Sequence, residues 1–321
     1  MYSRDSLHAA MRVVREAMPP TPQQRWPLLE QRLGSTVWVK HENHTPVGAF
    51  KLRGGLVYFD GLRRREPACR GVISATRGNH GQSVGFAARR HGMAATIVVP
   101  HGNSVEKNAA MRALGVELIE HGEDFQAARE HAMQLSAERG LHMVPSFHPD
   151  LVRGVATGWV EFFEAIAAPD APAVVFVPIG QGSGLCACAA ARAHTGAKAR
   201  IIGVVSAHAT AYQQSFHAGR AIEAPVTTQL ADGMACRVPD PQALAIICRE
   251  ADEVIAVTDA EVAIAMRALF ADTHNVAEGA GAAALAGALQ QRSRWAGRSI
   301  GITLSGGNVD SASFARVLAG G

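Results

Sequence analysis

Short apolar runs alternate with helical periodicity from about residue 70 onward. Gly71-Val72-Ile73-Ser74-Ala75 reads as a strand and Gly81 to Arg90 as a helix. Ala95 to Pro100 is the next strand, then a helix near 104–114, a strand at Val116 to Ile119, a helix near 123–139 and a strand starting at His142. After a helix near 151–167, apolar runs return at Ala173 to Pro178, Arg200 to Val205, Glu253 to Val257 and Ser299 to Leu304. An earlier run spans Thr36 to Val39. Near-continuous apolar runs, without alternation, are what strands covered on both faces show. Strands bounded by glycines and separated by helices predict βαβ units and parallel sheets, hence an α/β fold. No internal repeat, low-complexity segment or linker interrupts the pattern.

Composition narrows the class. A chain of 321 residues suffices for one large domain or two moderate ones, and 48% hydrophobic with 18% charged residues fits a globular protein with a sizeable core. A formal net charge of +3, with no basic tract or acidic tail, gives no reason to expect a nucleic-acid partner. No apolar run is long enough to span a membrane. The N-terminal residues are polar, unlike a signal peptide. Five cysteines (Cys69, Cys186, Cys188, Cys236, Cys248) lack framework spacing, and the expected setting is a reducing cytoplasm.

Candidate chemistry starts at Lys51, one of four lysines against 27 arginines. A lysine amine forms a Schiff base with an aldehyde, which a guanidinium does not usefully do. Lys51 stands beside Phe50 and before Gly54-Gly55; the alternative reading is a surface helix lysine. Lys40, Lys107 and Lys198 read as solvated charges. Gly180-Gln181-Gly182-Ser183-Gly184 follows a strand and opens a helix. Convergent backbone N–H groups and the helix dipole suit a small monophosphate there, the alternative being a tight turn. The spacing matches neither the dinucleotide fingerprint nor a Walker loop. Thr76-Arg77-Gly78-Asn79-His80-Gly81-Gln82 also joins strand to helix. It suits a carboxylate or phenolate oxygen, or else it is a turn with Asn79 capping the helix. His80 reads more readily as structural than as a base. Ser305, Gly180 and Asn79 all sit at carboxyl ends of strands, where open parallel sheets bind ligands.

Taken together these residues resemble the fold-type II pyridoxal-phosphate enzymes, closest to the serine/threonine dehydratase and serine racemase group. The likeness runs from Thr21-Pro22 to Leu304-Ser305-Gly306-Gly307-Asn308, with four motifs in family order: Pro46 to Gly54, Gly78-Asn79-His80, Gly180 to Leu185 and the Ser305 element. The resemblance implies a two-domain, tryptophan synthase β-like fold. Residues 1–64 and 150–321 would form the large domain and residues 65–149 a small inserted α/β domain. It implies that Lys51 anchors pyridoxal 5'-phosphate and acts as catalyst. Phe50 would lie beside the cofactor ring, Asn79 on its phenolic oxygen, Ser305 on its pyridine nitrogen and Glu278 near the ring. Backbone amides of Gly180, Gln181, Gly182, Ser183, Gly184 and Leu185 would take the phosphate. Thr76, Arg77, Gly78, Asn79 and His80 would receive the substrate carboxylate, and Ala231-Asp232-Gly233 would close over the site. The implied activity is β-elimination of a β-hydroxy amino acid such as L-threonine or L-serine to a 2-oxo acid and ammonia. The expected assembly is a homodimer. The chain stops soon after Asn308, which leaves no room for a regulatory domain and makes isoleucine feedback unexpected.

Some positions depart from the family pattern. Arg77 stands where racemases of the family place serine and many dehydratases alanine. Arginine does not serve as a base at neutral pH, so racemisation is disfavoured. Arg77 suits a second substrate carboxylate, as in 3-hydroxyaspartate, or an aromatic group, as in 3-phenylserine; otherwise it points to solvent. Val47 and Ala49 replace hydroxyl residues and make the floor of the site more apolar. Ser206 and Tyr212 stand at the family's divalent-metal positions, so no such metal is expected. The competing readings are a β-replacement synthase, a nicotinamide-dependent oxidoreductase and a non-catalytic cofactor carrier.

Overall fold

The computed structural model describes residues 2–320, and among these ten strands form two sheets. The first joins β1 (Gln23–Arg25), β2 (Thr36–His41), β7 (Val174–Pro178), β8 (Arg200–Ser206), β9 (Glu253–Val257) and β10 (Ser299–Leu304) in the order β1-β2-β10-β7-β8-β9. All its neighbours run parallel except the β1–β2 pair, which is antiparallel. β1 is three residues of Gln-Gln-Arg, an edge strand with no apolar signature for sequence reading to find. The second sheet joins β3 (Gly71–Ala75), β4 (Ala94–Val99), β5 (Glu117–Glu120) and β6 (His142–Met143) in the order β5-β4-β3-β6, all parallel.

The reason for continuous apolar runs is visible in the core. Successive strand side chains point to opposite faces, and helices cover both faces of the large sheet. On β7, Val174 and Phe176 enter one hydrophobic cluster while Val175 and Val177 enter the other. On β8, Ile202 and Val204 take the first face and Ile201 and Val205 the second. A helix over the first face, Gly279–Gln290, is built of glycine, alanine and leucine up to its final glutamine and is buried from Gly279 to Ala288. The helices Pro149–Ala165 and Ser183–Thr195 pack together on the second.

One buried cluster is electrostatic. Arg53, fully buried, donates to Glu42 at 2.8 Å and to Glu161 at 2.9 Å. Lys40, 2% exposed, donates to Glu161 at 2.8 Å and to the Thr21 carbonyl at 2.8 Å. Lys40 is therefore no solvated charge, which corrects the reading from sequence. Its ammonium is turned inward, where two buried carboxylates require two buried cations.

Candidate active site

The two sheets meet at a cleft, and the carboxyl ends of their strands supply its walls. Lys51 opens the helix Lys51–Arg65. Its position is fixed from the other end of the chain: Phe50 N–H donates to the Ser305 carbonyl at 2.9 Å, and Ala49 pairs with Gly306. The Lys51 amine sits inside the cleft, 5.1 Å from the centre of the Phe50 ring and 3.4 Å from Ser183 Oγ. Burial lowers its pKa to about 8, opposed by the charge of Glu278. An amine so depressed keeps a larger neutral, nucleophilic fraction near neutral pH than a solvated lysine does.

Ser183 begins the helix Ser183–Thr195 after the four-residue turn 179–182 that follows β7. The residue before it, Gly182, has φ +90° and no side chain to cap the helix, so the first-turn N–H groups stay open to an anion. Gly180 is required for a different reason: a Cβ there would stand 2.3 Å from the Gly233 carbonyl. Gly180 to Gly184 line the cleft, whereas Leu185 does not, its side chain being part of the core. Tyr212 braces this turn, its hydroxyl donating to the Gln181 carbonyl and accepting from Asp240 N–H, both at 3.1 Å. Ser206, the other departure at the family's metal positions, is buried and accepts from His208 N–H.

The opposite wall follows β3. Thr76, Arg77, Gly78, Asn79 and His80 all line the cleft, and the helix Asn79–Arg90 starts there without a side-chain cap. Asn79 is thus not the cap; its amide reaches across to Glu278 and Asn308. His80 is held neutral: burial and the Lys51 charge push its pKa down to about 3, so it is a poor proton acceptor. Arg77 is exposed and has no hydrogen-bond or ion-pair partner among the described residues.

Glu278 precedes the helix Gly279–Gln290 and is buried; burial raises its pKa, against Lys107. Ser305 is also buried, its hydroxyl 3.4 Å from the Ala280 carbonyl. Lys107 corrects the sequence reading. It is 7% exposed, donates to Asp232 at 2.8 Å and stands 3.3 Å from Glu278. Sequence reasoning also missed Trp159, Phe125 and Ser146, which line the cleft from helices and loops without a motif of their own.

A family model described as pyridoxal-phosphate dependent enzyme matches residues 14–306. This chain belongs to that family. It is 37% identical over 282 residues to the L-threonine ammonia-lyase of Geobacter sulfurreducens, covering 87% of this chain and 69% of the relative. It is 32% identical over 317 residues to the L-threo-3-hydroxyaspartate ammonia-lyase of Saccharomyces cerevisiae, covering 98% of this chain and 96% of the relative. The solved structure of processed threonine deaminase isoform 2 from Solanum lycopersicum superposes with a TM-score of 0.89 at 28% identity, over 99% of this chain and 94% of that one.

The residues present fit the family's cofactor. An aldehyde needs a neutral amine, and Lys51 loses its proton more readily than a solvated lysine, with no carboxylate in hydrogen-bonding range. A phosphate needs free N–H donors, and the uncapped turn at Gly182 supplies them beside that amine. Among the described residues no group of three or more His, Cys, Asp or Glu side chains is gathered as a metal site. No helix there is long and apolar enough to cross a membrane.

Proposed function

We propose that this pyridoxal-phosphate-dependent lyase removes water from a β-hydroxy amino acid such as L-threonine or L-serine, giving an enamine that hydrolyses to a 2-oxo acid and ammonia. The observation that carries the reading is the buried Lys51 amine, its pKa lowered to about 8, beside the open helix end at Ser183. The bound cofactor supplies a covalent hold on the substrate amine and delocalises the charge left when the Cα proton departs. Lys51 Nζ takes that proton, its pKa lowered by burial and its amine held within the cleft. The open first-turn N–H groups after Gly78 take the substrate carboxylate. Ser305 offers the ring nitrogen a neutral hydroxyl, which suits elimination better than transamination. Val47 and Ala49, expected from sequence at the floor of the site, are buried behind it and do not line the cleft.

Lys51→Ala is expected to lose both the visible absorbance of the bound cofactor and all 2-oxo acid and ammonia production. Borohydride treatment of the wild type is expected to leave the cofactor on Lys51. Activity and absorbance surviving in Lys51→Ala would end this assignment.

A second reading narrows the substrate to one with a further carboxylate, and Arg77 favours it. The cleft's other cations face carboxylates, except the reacting Lys51; Arg77 is the spare one among the described residues. The yeast relative, matched almost end to end, is named for L-threo-3-hydroxyaspartate. Arg77→Ala is expected to lower kcat/KM on 3-hydroxyaspartate about tenfold or more, the scale of one lost charge-assisted contact, while sparing threonine. Equal losses on both substrates would remove the selectivity argument.

We further read residues 65–149 as the small domain and the remainder as the large one, in line with the two sheets. A homodimer in the cytoplasm is the proposed state. The helix Asp259–Thr273 packs against Pro27–Leu33 and Ser311–Leu318, and Leu28, Ile264, Phe270 and Leu318 on these helices are exposed apolar side chains that a partner copy could cover.

A further inference from the structure

A directed row of polar groups crosses the cleft. The Val47 carbonyl accepts from Asn308 Nδ2 at 2.8 Å, and the same nitrogen donates to Asn79 Oδ1 at 2.8 Å. Asn79 Nδ2 donates to Glu278 Oε1. The other Glu278 oxygen, Oε2, is buried without a hydrogen-bond donor and lies 3.3 Å from the Lys107 ammonium.

An amide side chain has a donor end and an acceptor end, and a half-turn exchanges them. At Asn79 both ends are dictated by neighbours. A backbone carbonyl only accepts, so Asn308 presents nitrogen and Asn79 answers with oxygen. An ionised carboxylate only accepts, so Asn79 presents nitrogen to Glu278. One Asn79 N–H is thereby engaged and the other is left for the cleft. That second hold is strong only while Glu278 is ionised, because a carboxylate accepts a charge-assisted hydrogen bond whereas a protonated carboxyl accepts weakly and can turn its O–H against the Asn79 N–H. Burial and the Asp232 charge work against ionisation of Glu278; the Lys107 charge and the Asn79 hydrogen bond work for it.

We propose that Lys107 is a positioning residue that keeps Glu278 an acceptor and so fixes the Asn79 amide with its free N–H toward the phenolic oxygen of bound pyridoxal phosphate. This rests on the role given to Asn79 from the family resemblance. The Lys107 stem is seated for the task. It lies across Gly78, where a Cβ would stand 2.4 Å from Lys107 Cδ. Lys107 comes from the helix Val105–Ala113 beside the small sheet, while Glu278 and Asp232 come from segments beside the large one. The amide orientation is therefore completed only when both sides of the cleft are together.

The test titrates apoenzyme with pyridoxal phosphate across pH, following the visible absorbance of the bound cofactor, in the wild type and in Lys107→Met, Glu278→Gln, Lys107→Met with Glu278→Gln, and Asn79→Ala. Lys107→Met is expected to weaken cofactor binding about tenfold, the scale of one hydrogen bond to a charged group, and to shift the absorbance band. Its defect is expected to shrink as pH rises, because Glu278 then ionises without help. The double variant is expected to recover, since glutamine offers Asn79 an oxygen without needing a counter-charge. Glu278→Gln alone is expected to bind less tightly than the double variant, with a flat pH dependence, because Lys107 then competes with Asn79 for the single amide oxygen; this tests the idea even if Lys107→Met fails to fold. A pH-independent defect that the double variant does not relieve assigns Lys107 a merely structural role and overturns the proposal. So does wild-type behaviour of Lys107→Met alongside an impaired Asn79→Ala. An unimpaired Asn79→Ala that still carries cofactor on Lys51 instead removes the Asn79 reading on which the proposal stands.

Discussion

The chemistry of this chain turns on one amine. A solvated lysine titrates above 10, but Lys51 is brought down to about 8, chiefly by burial. Only the neutral amine attacks an aldehyde, so capture of pyridoxal phosphate by the apoenzyme is expected to quicken as pH rises through about 8 and then level off. Stopped-flow absorbance on apoenzyme across pH checks this, and a rate still climbing steadily above pH 10 would show an unperturbed lysine. At this scale the sequence was informative where a residue type is rare. Four lysines made Lys51 conspicuous, and the glycine turn and the Gly78-Asn79-His80 loop announced themselves by spacing. It was uninformative about Lys40 and Lys107. Each looks like a surface charge among its neighbours, and the carboxylate that claims it lies more than a hundred residues away in the chain. Arg53 gave no signal either, although one of its two carboxylates, Glu42, lies only eleven residues back in the chain.

At the scale of elements, the helix that carries Lys51 is anchored by charge. Arg53, two residues on, ties that helix to Glu42 after β2 and to Glu161 on the helix Pro149–Ala165. Replacing one member of a buried, hydrogen-bonded ion cluster leaves the others uncompensated, at a cost of about 3–5 kcal/mol. Arg53→Met is expected to destabilise the protein by that amount in chemical denaturation, and a loss below about 1 kcal/mol would mean that the cluster relaxes or takes up water. Most strands were legible to within a residue or two, because burial on both faces forces unbroken apolar runs. β1 was not, since an edge strand of three polar residues is held by its partner's backbone and not by its own side chains. The fourth strand of the small sheet was legible only as a start at His142, and its ladder ends at Met143.

Over the whole molecule, α/β alternation was readable, and so was the gathering of the site at strand ends, because periodicity and glycine placement are local properties. The order of strands within each sheet was not, since it is decided by packing between segments far apart in sequence. That order has a consequence for synthesis. β10, near the end of the chain, lies between β2 and β7, and it is the Ser305 carbonyl just beyond it that accepts from Phe50. A nascent polypeptide leaving the ribosome therefore holds its reactive lysine with no finished sheet beneath it until β10, about 250 residues later, has been made. The vitamin pocket can close only once residues 299–305 have emerged and slotted into the gap.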